Sequence, residues 1–157
     1  MTLRFEVNGR AVELAADESA PLLEVLRNGL GLRGSRFGCG LEQCGACMVL
    51  LDGEPVYACT LAAGAAAGRR VTTVEGLGTP EAPHALQAAF LAEQAGQCGY
   101  CLSGILISAK ALLDRNSDPS RAEIAAALDR NLCRCGAHNR IVRAVTRAAA
   151  ALRRSAA

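Results

Sequence analysis

Eight cysteines in this 157-residue sequence fall into two groups of four. The loop set is spaced C-x4-C-x2-C, with a fourth cysteine after eleven intervening residues, and it comprises Cys39, Cys44, Cys47 and Cys59. The bundle set lies in "QCGYC" and "LCRC", and it comprises Cys98, Cys101, Cys133 and Cys135. Thiols in such groups can form disulfides, bind zinc or ligate an iron–sulfur cluster. The chemistry of the protein depends on which of these they do.

The N-terminal residues favour metal or redox chemistry over disulfides. "MTLRFEVNGR" alternates apolar and polar residues and carries charge, so it does not have the pattern of a signal peptide. We therefore expect the chain to be made in the cytoplasm, where stable disulfides are rare. Eight cysteines in that compartment point to metal or redox sites.

The spacing of the loop set is typical of plant-type [2Fe–2S] ferredoxins. One loop must wrap a charged inorganic core while its backbone amides turn toward the sulfur atoms. Such a loop needs close approach and positive φ angles, which glycine tolerates best. The segment supplies Gly34, Gly38, Gly40 and Gly45. A zinc site uses the same ligand type, but this glycine-crowded triplet is unusual for zinc ribbons.

The bundle set can meet only if two helical hairpins lie side by side. Each cysteine pair precedes a helical pattern, and the free N–H groups of a helix start favour thiolate and sulfide. The single residue between Cys133 and Cys135 is uncommon for zinc, although a four-cysteine zinc site or a disulfide pair remains open from the residues alone. Since the eight cysteines divide into two fours, we expect all of them to be ligands.

The first half of the sequence has the pattern of a small sheet domain. "LRFEV", the turn "NG" and "RAVEL" predict a hairpin, and "MVLL", "DG" and "PVYAC" predict a second one. A helix is predicted in "PLLEVLRNGLG", and a last strand in "RVTTVEGL" (70–77). These elements predict an α+β domain over residues 1–77.

The second half changes to helical periodicity. Four helices are predicted: one over 83–95, one over 102–115, one that starts at a Ser120–Glu123 capping box, and one from "HNRIV" onward. Antiparallel helices with short connections predict a four-helix bundle over residues 78–157. The boundary is expected in "GLGTPEAP".

Several functions are excluded by composition. Arginine is concentrated in residues 121–157 without interleaved aromatics, which indicates a solvated or partner-facing helix and no nucleic-acid binding. No apolar run approaches the ~20 residues of a membrane span, so no membrane insertion is expected. No catalytic triad, paired carboxylates or dinucleotide-binding glycine motif is present, so we expect no catalytic residue of the chain's own.

The segments "FGCGLEQCGACMVLLDG", Cys59, "GQCGYC" and "NLCRCG" together resemble the small iron–sulfur subunit of molybdenum hydroxylases, the xanthine oxidase and aldehyde oxidoreductase superfamily. The resemblance covers residues 2–150. "VTTVEGLGTPEAPHALQAAFLAEQAGQCGYC" and "SAKALLDR" are most similar to nicotinate dehydrogenase and isoquinoline 1-oxidoreductase small subunits. Where many relatives have "QCGFCTPG", this chain has "QCGYCLSG".

The resemblance implies a β-grasp ferredoxin domain, a four-helix bundle and two [2Fe–2S] clusters. It implies that Gln97 and Cys135 contact a molybdopterin cofactor, in its cytosine dinucleotide form, held by a large catalytic subunit. Electrons would pass the bundle cluster and then the ferredoxin cluster, toward an FAD-binding or a cytochrome c subunit. The expected substrate is an N-heteroaromatic acid such as nicotinate, with an aldehyde as second choice. An exported partner could carry the folded chain to the periplasm or to a membrane.

Two other classes of protein fit parts of the pattern. A free-standing ferredoxin-like carrier accounts for the loop set but leaves the bundle set without a purpose. A zinc-binding interaction module accounts for the cysteines but not for the ferredoxin spacing.

Overall fold

A computed structural model describes residues 2–156 of the chain. The first half is a mixed five-stranded sheet in the order β2-β1-β5-β3-β4. Its strands are β1 (Thr2–Val7), β2 (Arg10–Ala15), β3 (Met48–Leu51), β4 (Glu54–Tyr57) and β5 (Arg70–Thr72). Strand β5 lies at the centre, parallel to β1 and antiparallel to β3, between the antiparallel hairpins β1–β2 and β3–β4.

A short helix, α1 (Leu22–Glu24), continues as a π-helical turn (Val25–Gly29) and covers one face of the sheet. Leu22 and Leu26 are fully buried there, in one apolar cluster with Leu3, Phe5 and Val71. The helix and this mixed sheet form the predicted β-grasp domain. Short 3-10 turns at Ala63–Ala66 and Val74–Gly76 complete it.

The second half is the predicted bundle of four helices. They are α2 (Ala85–Ala92), α3 (Leu102–Arg115), α4 (Arg121–Leu128) and α5 (His138–Ala156). A capping box between Ser120 and Glu123 starts α4, as the sequence predicted. The helix expected over 83–95 is shorter, because His84 is its N-cap and Gln94 has a φ of 48°. None of the helices within residues 2–156 has the length and apolar character needed to cross a bilayer.

Strand β3 packs between the two halves, and all four of its residues are buried. Met48 and Leu50 pack against Ile107 and Ala111 of α3, while the alternate side chains face the sheet core. A strand buried on both faces requires an uninterrupted apolar run, which is what "MVLL" supplies. This packing brings the thiol-bearing loops of the two halves to the same side of the molecule.

The predicted strand over 70–77 ends early, at Thr72. The Asn8 side chain accepts a hydrogen bond from the Thr73 backbone N–H at 2.9 Å. The Glu75 carboxylate accepts from the Thr73 hydroxyl at 2.6 Å and from the Gly34 N–H at 2.7 Å. These side-chain bonds replace the strand ladder and turn the chain toward the bundle.

Candidate iron–sulfur centres

The loop set begins with a sulfur atom surrounded by backbone N–H groups. Cys39 Sγ accepts hydrogen bonds from the amides of Leu41, Gln43 and Cys44, each at 3.3 Å. The Cys39 amide donates in turn to Cys44 Sγ at 3.4 Å. The Leu41 and Gln43 amides are the main reason that the pKa of the Cys39 thiol falls from 9.0 to about 7. The loop therefore stabilises negative charge on sulfur before any metal binds.

The other two thiols of the loop set lie on the second hairpin. Cys47 immediately precedes β3, and Cys59 follows β4, so the hairpin brings their side chains into contact. Burial raises the pKa of the Cys47 thiol to about 12. A buried thiol of this kind loses its proton when a metal binds, because the metal replaces the missing solvation.

Glycine is required at three positions of this loop. A Cβ on Gly38 would lie 2.6 Å from Cys44 Sγ, inside the space that the sulfur occupies. Gly40 and Gly45 have φ angles of 67° and 71°, which residues with a side chain rarely adopt. The glycines thus let the backbone approach the thiols and point its amides at them.

The bundle set combines two loops that precede α3 and α5. Cys101 is the N-cap residue of α3, whereas Cys133 and Cys135 lie in the loop between α4 and α5. The thiols contact each other in two pairs, Cys98 with Cys135 and Cys101 with Cys133. The structure thus brings together all four residues of the predicted second set.

Local amides and burial act in opposite directions on the bundle thiols. The Tyr100 amide, which donates to Cys98 Sγ at 3.5 Å, lowers the pKa of the Cys98 thiol. Partial burial opposes ionisation of Cys133, but hydrogen bonds from the backbone amides of residues 135–137 and from the Cys101 thiol together outweigh it and lower the pKa of the Cys133 thiol. Burial raises the pKa of Cys101 to about 12. Each thiol pair therefore contains one thiol whose pKa is lowered, Cys98 in one pair and Cys133 in the other.

Gln97 and Cys135 are in direct contact. The Gln97 side-chain amide donates to the Cys135 carbonyl oxygen at 3.3 Å. Gln97 is exposed and Cys135 is partly exposed, so both can reach a molecule bound outside the chain. The two residues predicted to touch a pterin thus lie side by side at the surface.

Three further residues join the two thiol sets, and sequence reasoning did not identify them as site residues. Asn131 is buried, and its side chain donates to the Gly45 carbonyl at 3.3 Å. The Arg36 guanidinium donates to the Gly99 carbonyl at 2.8 Å. A Cβ on Gly104 would collide with the Gly45 carbonyl oxygen. Nothing local in the sequence indicates these contacts, because each one links residues far apart in the chain.

The donor chemistry fits two binuclear clusters. All eight cysteines are free thiols. Within residues 2–156, no three or more His, Cys, Asp or Glu side chains form a group arranged to hold a single metal ion. Each set instead supplies four thiols, the composition that a [2Fe–2S] core takes from proteins. The amides around Cys39 add the hydrogen bonds that such a core accepts at its sulfur atoms.

Comparison with known proteins agrees with this interpretation of the thiols. Residues 5–71 match the family described as "2Fe-2S iron-sulfur cluster binding domain", and residues 73–146 match "[2Fe-2S] binding domain". The chain is 53% identical over 148 residues to the A subunit of nicotinate dehydrogenase from Pseudomonas putida, covering 94% of each chain. It is 48% identical over 148 residues to the alpha subunit of isoquinoline 1-oxidoreductase from Brevundimonas diminuta, covering 94% of this chain and 97% of that one.

The chain belongs to the family of small [2Fe–2S] subunits of molybdenum hydroxylases. The crystal structure of the aldehyde oxidoreductase from Desulfovibrio desulfuricans superposes with a TM-score of 0.94 and 44% identity. The match covers 97% of this chain but only 17% of that one, so the fold also occurs as a small part of a much larger enzyme.

Family membership confirms several predictions from the sequence. The α+β fold and the two [2Fe–2S]-binding domains are those of small hydroxylase subunits. The chain is accordingly an electron-transfer subunit of an oxidoreductase. The predicted domain limits and individual ligands stay predictions.

Proposed function

We propose that this small subunit holds one [2Fe–2S] cluster on each thiol set and relays electrons from a molybdopterin centre in a large subunit to a further acceptor. The proposed ligands are Cys39, Cys44, Cys47 and Cys59 for the first cluster, and Cys98, Cys101, Cys133 and Cys135 for the second. The proposed domains are residues 1–77 and 78–157. When bound, such a cluster accepts and releases one electron at a time.

The observation that carries this proposal is the direct contact between the two ligand loops. The N–H of Leu132, the neighbour of Cys133, donates to the carbonyl oxygen of Cys44 at 2.9 Å. The residues around both sets hold the thiols in place and stabilise negative charge, and they bury Cys47 fully and Cys101 partly. A carrier with a single cluster needs no second thiol set in contact with its first.

The exposed pair Gln97 and Cys135 supports a direction for the relay. We assign the pterin contact to these two residues, and the cofactor to the cytosine dinucleotide form. The loop set is joined to the bundle set through the Leu132–Cys44 hydrogen bond and does not include this pair. We therefore assign the loop set as the exit toward an FAD-binding or a cytochrome c subunit. In this arrangement the chain positions the two redox centres, and the chemistry on the substrate belongs to the large subunit.

The proposed substrate of the complex is an N-heteroaromatic acid such as nicotinate. This assignment is supported by the similarity to a nicotinate dehydrogenase subunit over nearly the full length of both chains. An aldehyde is the second candidate, because the fold is shared with an aldehyde oxidoreductase at a lower identity. The large subunit selects the substrate, so the two are distinguished by the complex and not by this chain. We propose the cytoplasm as the location, unless a partner carries the chain elsewhere.

Native isolation of the complex tests this function. We expect the tagged chain, purified anaerobically from its own cells, to retain molybdenum and a large subunit. Adding nicotinate should bleach the visible absorbance of the complex faster than adding an aldehyde does. A monomer that carries iron but no molybdenum would identify a free-standing carrier, and stoichiometric zinc would identify an interaction module.

A further inference from the structure

A groove opens beside Gln97 between the segment 78–83, helix α2 and the start of α3. It encloses about 820 Å³, and its lining is mostly apolar. Phe90 and Leu106 form its floor although both are buried, so the groove reaches the core of the bundle. Leu91 lies at its edge and is 76% exposed, the highest value among the large apolar side chains of residues 2–156. An apolar opening of this kind indicates an interaction site.

The wall of the groove is held by hydrogen bonds. The Thr79 N–H donates to the Ala82 carbonyl at 3.1 Å, and the Ala82 N–H donates back to the Thr79 hydroxyl at 3.1 Å. The His84 N–H donates to the Gln87 side chain at 2.9 Å, in the capping box that starts α2. The groove is thus formed in the chain by itself, and a partner would not have to order it.

The groove is continuous with the proposed pterin contact. Gln97 itself lines the groove while its side chain donates to the Cys135 carbonyl. A partner that presses a pterin against Gln97 must therefore cover the neighbouring apolar surface as well. Because of this continuity, the large subunit is favoured over a second copy of the chain as the occupant.

Positive charge also borders the groove. Arg140 lines the groove, and Arg143 and Arg147 follow it on the same face of α5. Glu93 pairs with both Arg143 and Arg147, at 3.2 and 3.3 Å, so one carboxylate faces two guanidinium groups. The remaining positive charge fits carboxylates of a partner.

We propose that this groove and the arginine face of α5 together dock one segment of the large molybdopterin-binding subunit. That segment presents an apolar side chain to the groove and acidic residues to Arg140, Arg143 and Arg147. This inference rests on the proposed function and deepens it, because it names where the partner binds and by what chemistry.

The test measures the affinity of the cluster-loaded chain for its purified large subunit. Leu91→Glu should weaken binding about tenfold or more. The variant loses an apolar contact and adds a negative charge, which repels the acidic residues proposed for the partner segment. Ala11→Glu is the matched control, since it adds the same charge at an exposed position of β2. Both variants should keep the visible and EPR spectra of the wild type, which shows that they fold.

The arginines are tested by salt dependence. A double variant, Arg143→Glu with Arg147→Glu, should weaken binding strongly at low ionic strength and less at high ionic strength. The effect of Leu91→Glu should persist at high ionic strength, because apolar contacts are not screened. Arg10→Glu on β2 is the control for charge reversal and should leave the affinity unchanged.

Hydrogen exchange on the wild-type pair gives a second measurement that needs no variant. Residues 78–92 and 140–147 should gain protection when the large subunit binds. Wild-type affinity in Leu91→Glu, or binding without protection of these residues, would overturn the docking site while leaving the electron-transfer function intact. The docking site would also be overturned if the arginine face bound nucleic acid and the double variant Arg143→Glu with Arg147→Glu kept the wild-type affinity for the large subunit. Failure of the wild-type chain to bind any large subunit would instead overturn the proposed function.

Discussion

The backbone N–H of Leu132 donates to the carbonyl oxygen of Cys44, with 2.9 Å between nitrogen and oxygen. Beside it, the buried Asn131 side chain donates to the Gly45 carbonyl at 3.3 Å. One loop carries three thiols of the loop set, and the other carries two thiols of the bundle set. The separation of the two sets is therefore fixed by direct contact between their loops and not by the segment that links the domains.

This contact predicts that Gly104→Ala destabilises the protein. Gly104 lies in the first turn of α3, where alanine normally favours the helix by up to about 1 kcal/mol. Here the added methyl group would collide with the Gly45 carbonyl oxygen, so the loop between Cys44 and Cys47 must move. We expect the free energy of unfolding of the loaded chain to fall by about 1–3 kcal/mol, measured by thermal unfolding.

The matched control for Gly104→Ala is Ser108→Ala on the same helix. The Ser108 hydroxyl is buried, and it has no hydrogen-bond partner within residues 2–156. Its removal should therefore leave stability unchanged or raise it. Equal stability of Gly104→Ala and the wild type would show that the junction between the loops is looser than the geometry implies.

Cys101→Ser should remove one cluster selectively. The Cys101 thiol pairs with Cys133, so its loss leaves the bundle set with three thiols, while the loop set is untouched. Iron content should fall from about four to about two per chain, with the EPR signal of the loop set retained.

Cys59→Ser provides the mirror-image control for this prediction. It should reduce iron content by the same amount and retain the other EPR signal. Loss of both signals in either variant would contradict the assignment of four thiols to each cluster or the independence of the two sites.

Local patterns of the sequence predicted much of the site. Cysteine spacing predicted both thiol sets, because the cysteines of each loop are close in sequence. Hydrophobic periodicity predicted the strands and helices that flank them. The range predicted for α3, 102–115, is the one observed, Leu102–Arg115. These features depend on neighbours in the chain, which is why the residues alone indicate them.

The junction between the domains could not be predicted in the same way. Arg36 donates to the Gly99 carbonyl at 2.8 Å and lies 5.2 Å from the centre of the Tyr100 ring. The Tyr100 hydroxyl donates to the Phe37 carbonyl. These contacts cross more than sixty residues of sequence and depend on how β3 docks on α3. Periodicity and spacing carry no information about such docking.

The capping hydrogen bond of His84 predicts that the stability of the first turn of α2 depends on pH. Its Nδ1 accepts a hydrogen bond from the Leu86 N–H at 3.1 Å, which only an unprotonated nitrogen can do. Burial is the main cause that lowers the pKa of His84 below 6.5. Because the unfolded chain takes up this proton at a higher pH, the contribution to stability is complete above pH 6.5 and is lost as pH falls through the lower folded pKa.

The measurement compares the wild type with His84→Asn, which keeps a capping side chain that does not titrate. Between about pH 7.5 and 5.5 the melting temperature of the wild type should fall more than that of the variant. A cap contributes about 1 kcal/mol, so the difference should approach roughly 2–4 °C. Parallel profiles would show that His84 does not couple the helix to pH.

The central claim is that this chain holds two [2Fe–2S] clusters, each on four thiols. It is tested most directly by counting iron, acid-labile sulfide and zinc in the anaerobically isolated protein, and by recording EPR spectra after reduction. We predict about four irons and four sulfides per chain, with two distinguishable signals. Stoichiometric zinc without visible absorbance, or only two irons per chain with one signal, would contradict it.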